Sequence, residues 1–365
     1  MHLVCDRREL SDALALASVV VPARATRQIL TNVCLVAEPS RLEVLATDLE
    51  VGVRATCDRV DTSEPGVLLL NAAHTAGILR EATGDRVEIA HQDGVTTITA
   101  SGDSFRLVDS DADDFPEVPT FGDEPGLVVD RAMLKGMLRR TAFAAAAEGL
   151  RYALNGVLFE LEGDRLRLVA TDGKRLAVCE HPVSNLGGTR VARVISNKAV
   201  QLLLRLSAPD DEQLELRFSD NQLLARSSRA VLAAQLVQGH FPPYDDVIPK
   251  GLDKRIELET QPFQAALRRA TLLTTKDSFA VRFAFSYNRL KLSSRIPGVG
   301  EGEVALEIPY EHDPIEAAFN PQYLADVVKV IDQPRFEFEL KDGVHPCIVR
   351  ESDSYRYVVM PIALS

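Results

Sequence analysis

The chain has 365 residues, 46% of them hydrophobic, and a formal net charge of −12. That length predicts two or three domains with ample core. The charge excludes tight binding to nucleic acid through overall basicity, because phosphate contacts and counterion release need a positive balance. DNA is then either no partner, or is held topologically and touched only by a local basic surface.

The opening MHLVCDRREL has no basic region leading into an apolar run, and no apolar stretch approaches the ~18 residues of a membrane span. Neither a signal peptide nor a membrane helix is expected. The cysteines, Cys5, Cys34, Cys57, Cys179 and Cys347, are scattered without C-x-x-C spacing. This points to reduced, packed thiols and a cytoplasmic protein.

Taken in chain order, the elements repeat. Leu10, Ala13, Leu14 and Ala17 form the stripe of an amphipathic helix. Alternating strands follow, turning at Glu38-Pro39-Ser40. A second helix carries Thr75, Ile78, Leu79 and Ala82, and further strands turn at Asp93-Gly94. The segment DADDFPEVP then reads as a linker. The pattern restarts at Leu134, Met137, Leu138 and Thr141, turns at Glu162-Gly163-Asp164, continues through Val200, Leu203, Leu204 and Ser207, and ends at GHFPPYDDVIP. It restarts again at Phe263, Ala266, Leu267 and Ala270, turns at Tyr287-Asn288, and continues through Leu324, Val327, Val328 and Ile331. The offset is about 125 residues each time. The expected fold is α+β, with domains at residues 1–121, 122–252 and 253–365, each placing two helices on one side of an antiparallel sheet.

On the helix side opposite each stripe lie Arg80, Arg205 and Lys329 in the second helices, and Arg139 and Arg268 in two of the first helices. Ala15 holds the matching place in the remaining one. Arg8 and Lys198, two residues before their stripes, also face away from the core. A single basic helix face is ordinary solvated surface. Its recurrence at matching phase in an acidic chain points to helices presenting Lys and Arg to phosphates without base-reading groups.

Signals for chemistry are absent. There is no G-x-x-x-x-G-K-[ST] or G-x-G-x-x-G loop, no H-x-x-x-H or H-E-x-x-H spacing and no G-x-S-x-G context. The carboxylate runs Asp109–Asp114 and Asp210–Glu212 read as solvated loops. Thr47-Asp48 and Thr171-Asp172 recur at the same strand end, as turn chemistry does and a unique active site does not. No catalytic residue, metal or cofactor is expected.

The segment Arg151 to Glu180, RYALNGVLFELEGDRLRLVATDGKRLAVCE, resembles the β subunit of bacterial DNA polymerase III, the β sliding clamps. So do Tyr357 to Ile362 (YVVMPI), GHFPPYDDVIPK and ATDLE at Ala46 to Glu50. The resemblance covers the whole chain. It implies a head-to-tail homodimer forming a six-domain ring around duplex DNA, non-catalytic and sequence-independent, with contacts at Phe105 and Leu107 on one side and Leu272 and Leu273 on the other. It places Arg24, Arg80 and Lys198 towards DNA; Arg205, Arg139, Arg268 and Lys329 rest on helix phase alone.

The resemblance also implies a pocket through which DNA polymerase and clamp-loader subunits bind by short peptides. Its positions here are Leu154, Thr171, Gly173, Lys174, Arg175, Leu176, Pro242, Val247, Asn320, Tyr323, Val358, Met360, Pro361 and Ile362. Adaptable Met and branched side chains would accept an apolar anchor, with Arg175 fixing the peptide's polar end. Asp246, Lys174 and Ala363 replace the family's frequent Arg, His and Arg, and His345 and Pro346 replace small polar residues, which leaves the preferred peptide open. A diverged paralogue serving repair or conferring inhibitor resistance is the nearest alternative. A DNA-free scaffold and a metal-dependent enzyme using Asp48, Asp172 or the acidic loops are more distant ones.

Overall fold

The computed structural model describes residues 1–108, 110–147, 152–185, 188, 190–206, 213–275 and 280–363. Ser207, Asp109 and the run 210–212 named above lie outside them. Six α-helices occur among the described residues: α1 (Arg7–Val20), α2 (Ala72–Glu81), α3 (Arg131–Thr141), α4 (Asn197–Arg205), α5 (Thr260–Ala270) and α6 (Pro321–Val328). Their starts are set locally. Asp6, Asn71, Asp130, Ser196 and Asn320 each accept a backbone N–H from the first turn that follows, satisfying donors that have no intrahelical partner.

The stripes of α1, α3, α5 and α6 are buried as expected. Two second helices differ. In α2, Ile78 is half-buried, as is Ala82 beyond its end. In α4, Leu204 is only half-buried while Leu202 is fully buried. The wider arc of α4 has a cause: this helix also packs on α1 of the preceding repeat.

The described chain forms two compact units, Met1–Lys135 with Ile195–Val237, and Gly136–Val194 with Gln238–Ser365. These units do not coincide with the repeats, and strand pairing explains why. In the first unit, antiparallel strands run in the order Leu127–Asp130, Gln213–Phe218, Gln222–Arg226, Ala230–Val237, Val51–Cys57, Arg41–Thr47, Asn32–Glu38, Gly66–Asn71. The step from Ala230–Val237 to Val51–Cys57 joins the second repeat to the first. In the second unit the order is Lys254–Glu259, Arg335–Leu340, Cys347–Ser352, Tyr355–Val359, Arg175–Pro182, Arg165–Thr171, Gly156–Glu162. There the step from Tyr355–Val359 to Arg175–Pro182 joins the third repeat to the second in the same way.

Each unit has a further sheet. The first holds five strands, ending on Asp103–Val108, and the second holds four, ending on Gly300–Glu307. The expected linkers are not loose. Val118, Phe121 and Tyr244 are buried. Arg217 and Arg226 stack over the Phe121 ring at 4.9 and 4.4 Å. The Tyr244 hydroxyl donates to Glu160 at 2.6 Å. Proline sets the chain direction there, and aromatic burial holds it.

All five cysteines are buried and unbridged. Burial pushes the Cys34 and Cys179 thiols up to about 11 and those of Cys5 and Cys347 to about 12, so they stay protonated and unreactive at neutral pH. No helix of the described residues is long and apolar enough to cross a membrane.

Candidate functional site

The turn after Arg165–Thr171 begins the site. Asp172 Oδ1 accepts the N–H groups of Lys174 and Arg175 at 2.9 and 3.1 Å, and Thr171 Oγ1 donates to the Arg175 carbonyl at 2.6 Å. Gly173 sits at φ +87° inside this loop, a conformation that an L side chain resists. The first repeat builds the same turn. Asp48 accepts from Glu50 and Val51 at 3.0 and 2.7 Å, Thr47 donates to the Val51 carbonyl at 3.1 Å, and Leu49 takes φ 80°. The duplicated Thr-Asp pair is turn chemistry, as read from the sequence.

After the turn of the second repeat Leu176 pairs across strands with Val358, both buried, and Leu154 and Thr171 are buried as well. The Met360 N–H donates to the Lys174 carbonyl at 3.0 Å and the Ile362 N–H to the Ala318 carbonyl at 2.7 Å, pinning the C-terminal tail while Met360 stays exposed. Asn320 and Tyr323 come from the start of α6, both half-buried. Val247, 57% exposed, stands with Pro242 and Asp246 on the linker held by Tyr244. Lys174 and Ala363 are exposed and Pro361 is half-buried. All fourteen expected pocket positions thus fall within one compact unit, the second.

Arg175, expected to hold the polar end of a peptide, is 11% exposed and bonded within the protein. Nε bonds Asp172 at 3.0 Å, Nη1 bonds Asp326 at 2.8 Å and Nη2 bonds the Phe143 carbonyl at 2.6 Å. The guanidinium also lies 4.4 Å from the Tyr323 ring centre. Asp326, Phe143 and Tyr244 were missed from sequence. The available signal for Asp326 was its place one turn after Tyr323 on α6.

The basic positions divide. Arg24, Arg80, Arg139, Arg205, Arg268 and Lys329 are exposed. Arg80 contacts Glu81 at the surface, and Arg268 bonds Gln264 on its own helix. Lys198 is 30% exposed, ion-paired with Asp48, and its Nζ donates to the Val20 carbonyl at 2.8 Å. Its charge ties α4 to the end of α1 and to the Thr47-Asp48 turn.

Two of the expected contact residues, Phe105 and Leu107, sit on an edge strand, and Leu272 and Leu273 lie in the 3-10 turn Thr271–Leu273. Phe105 is exposed and Leu107 half-buried on the edge strand Asp103–Val108, where Val108 is 85% exposed. Leu272 is 77% exposed, and Leu273 lies half-buried beside the edge strand Gly300–Glu307; a Cβ on Gly302 would stand 3.3 Å from its Cδ1. Among the described residues there is no group of three or more His, Cys, Asp or Glu side chains able to hold a metal ion.

Three α+β repeats whose sheets are shared across repeat boundaries define the sliding-clamp class of fold. Models of the DNA polymerase III beta subunit match the chain with their N-terminal domain at residues 1–119, central domain at 128–243 and C-terminal domain at 245–363. The Beta sliding clamp of Escherichia coli strain K12 is 32% identical over 368 residues, with 100% of both chains covered. That of Pseudomonas aeruginosa is 31% identical over 367 residues with the same coverage. A crystal structure of the DNA polymerase III subunit beta from Pseudomonas aeruginosa gives a TM-score of 0.92 at 31% identity over 100% of both chains. Another, of the clamp from that organism bound to griselimycin, gives 0.93 at 31% identity and the same coverage. The chain belongs to the DNA polymerase III beta subunit family, and is a non-catalytic processivity factor of the sliding-clamp type.

Proposed function

We propose that two copies of this chain close head to tail into a ring that encircles duplex DNA and tethers the replicative polymerase and clamp loader through peptides. The observation that carries this reading is the pairing pattern at the internal junctions. Val51–Cys57 and Arg175–Pro182 each receive a strand from the next repeat, Ala230–Val237 and Tyr355–Val359. By the same repeat logic the third repeat offers Gly300–Glu307, and the strand type it requires is Asp103–Val108 of a first repeat. Both are open edges. An open edge is an association hazard unless it is paired, and a heterologous contact of this kind closes when the rotation allows it.

In this reading Phe105 and Leu107 meet Leu272 and Leu273 of a second copy. Arg24, Arg80, Arg139, Arg205, Arg268 and Lys329 supply sequence-independent phosphate contacts in an otherwise acidic protein. The repeats divide near Phe121 and Leu252, and the protein works in the cytoplasm. The fourteen-residue cleft takes a short peptide with an apolar anchor. Exposed Asp246, Lys174 and Ala363 on its rim support a peptide preference of its own. The deciding experiment is loading onto closed circular DNA: protein retained at high salt and released when the circle is cut supports the ring, and equal release from intact circles overturns it.

A further inference from the structure

We infer that Asp326, on α6, is a positioning residue that sets the gap between the two lips of the peptide cleft by way of Arg175. This rests on the pocket reading above and goes beyond it. One lip is the turn carrying Thr171, Gly173 and Lys174, and the other is the start of α6 with Asn320 and Tyr323. Arg175 crosses between them. Its Nε is held by Asp172 of its own turn at 3.0 Å and its Nη1 by Asp326 of the helix at 2.8 Å, with the Tyr323 ring stacked 4.4 Å away.

The carboxylates and the guanidinium are 16%, 18% and 11% exposed, so their attraction is only weakly screened. The other oxygen of Asp326 accepts from Gln322 Nε2 at 2.6 Å and faces Lys329 Nζ at 3.9 Å, which fixes the carboxylate on the helix. The buried Tyr357 hydroxyl donates to the Tyr323 carbonyl at 2.9 Å and holds the same helix from the sheet side. Loss of Asp326 leaves Arg175 with Asp172 and stacked on Tyr323, so the turn survives while its ion pair to α6 is lost. A peptide lying between the lips then meets a looser cleft, and ordering that cleft weakens binding.

Calorimetry on the full-length protein with the peptide Gln-Ala-Ser-Leu-Phe tests this. Asp326→Asn, nearly isosteric, is expected to weaken binding roughly 10-fold. Gln322→Ala, which removes the amide held by the other Asp326 oxygen, is expected to weaken it roughly threefold. Asp326→Glu, which keeps the charge, should recover most of the loss. Arg175→Gln combined with Asp326→Asn should cost little more than Arg175→Gln alone, because both act through one bond. Asp332→Asn, which removes an exposed ion pair with Arg140 elsewhere in the same unit, should bind like wild type. Wild-type affinity in Asp326→Asn, additive losses in the double variant, or an equal loss in Asp332→Asn overturns the inference. If the unaltered protein itself ignores the peptide, the pocket reading falls and this inference with it.

Discussion

Gln235 and Met360 occupy the same place in successive repeats, and each donates its backbone N–H to the turn it faces, 2.8 Å to the Glu50 carbonyl and 3.0 Å to that of Lys174. The two junctions differ in the side chains they carry: the second pairs Leu176 with Val358. At the first, the cross-strand pair matching Leu176 and Val358 is Gly52 and Ala233. The buried Val118 from the linker fills that space, with its Cγ1 3.1 Å from where a Cβ on Gly52 would stand. Gln235 also donates from Nε2 to the Leu49 carbonyl at 2.9 Å. The repeat copies the backbone while side-chain volume differs at the junctions, with Val118 filling the first.

The ring requires a dimer. Sedimentation of the wild-type protein at micromolar concentration should give twice the chain mass, and Leu272→Ala with Leu273→Glu should give folded monomers with unchanged circular dichroism. A wild-type mass of one chain would falsify the closure of the two open edges.

Charge on the helices should act on DNA, and charge at Lys198 on the fold. Arg80→Glu with Arg205→Glu should reduce loading onto circular DNA and leave the melting temperature and the dimer unchanged. Lys198→Ala should lower stability by about 1–2 kcal/mol, because Asp48 is left half-buried without its cation. Thermal melts of the two variants separate the two roles.

Met360→Lys puts a charge at the open wall of the cleft and should weaken an apolar-anchored peptide by about 2–3 kcal/mol. Because Asp246 stands exposed on the rim, peptides with acidic flanks should bind less well than neutral ones, and Asp246→Arg should reverse that order. Calorimetry with matched neutral and acidic peptides reads both effects.

The loop at Asp342 carries a pH marker. Its carboxylate accepts the N–H groups of Val344 and His345, each at 2.9 Å, and contacts the His345 ring, which together hold its pKa at about 2. The folded value lies below the unfolded one, so the contribution is present above about pH 4 and is lost as pH falls through about 2. Carboxyl NMR titration should show this midpoint, and an ordinary value near 4 contradicts the loop geometry.

Phe121→Ala should destabilise the protein by about 3–5 kcal/mol, as loss of a buried aromatic does. A boundary that behaved as a flexible linker would tolerate it. Chemical denaturation distinguishes the two outcomes.

By itself the sequence determined the three-fold repetition, six helices with their strands, the turn chemistry of Thr47-Asp48 and Thr171-Asp172, and the exposed basic helix faces. These depend on periodicity and on hydrogen bonds only two to four residues apart, which local order records. Tertiary structure decided what Arg175 and Lys198 do, because each finds its partners on distant elements: Asp326 and Phe143 for one, Asp48 and Val20 for the other. It also decided the compact units. Strands pair across repeat boundaries, and a hydrogen-bonded ladder between residues more than a hundred positions apart leaves no trace in the local pattern.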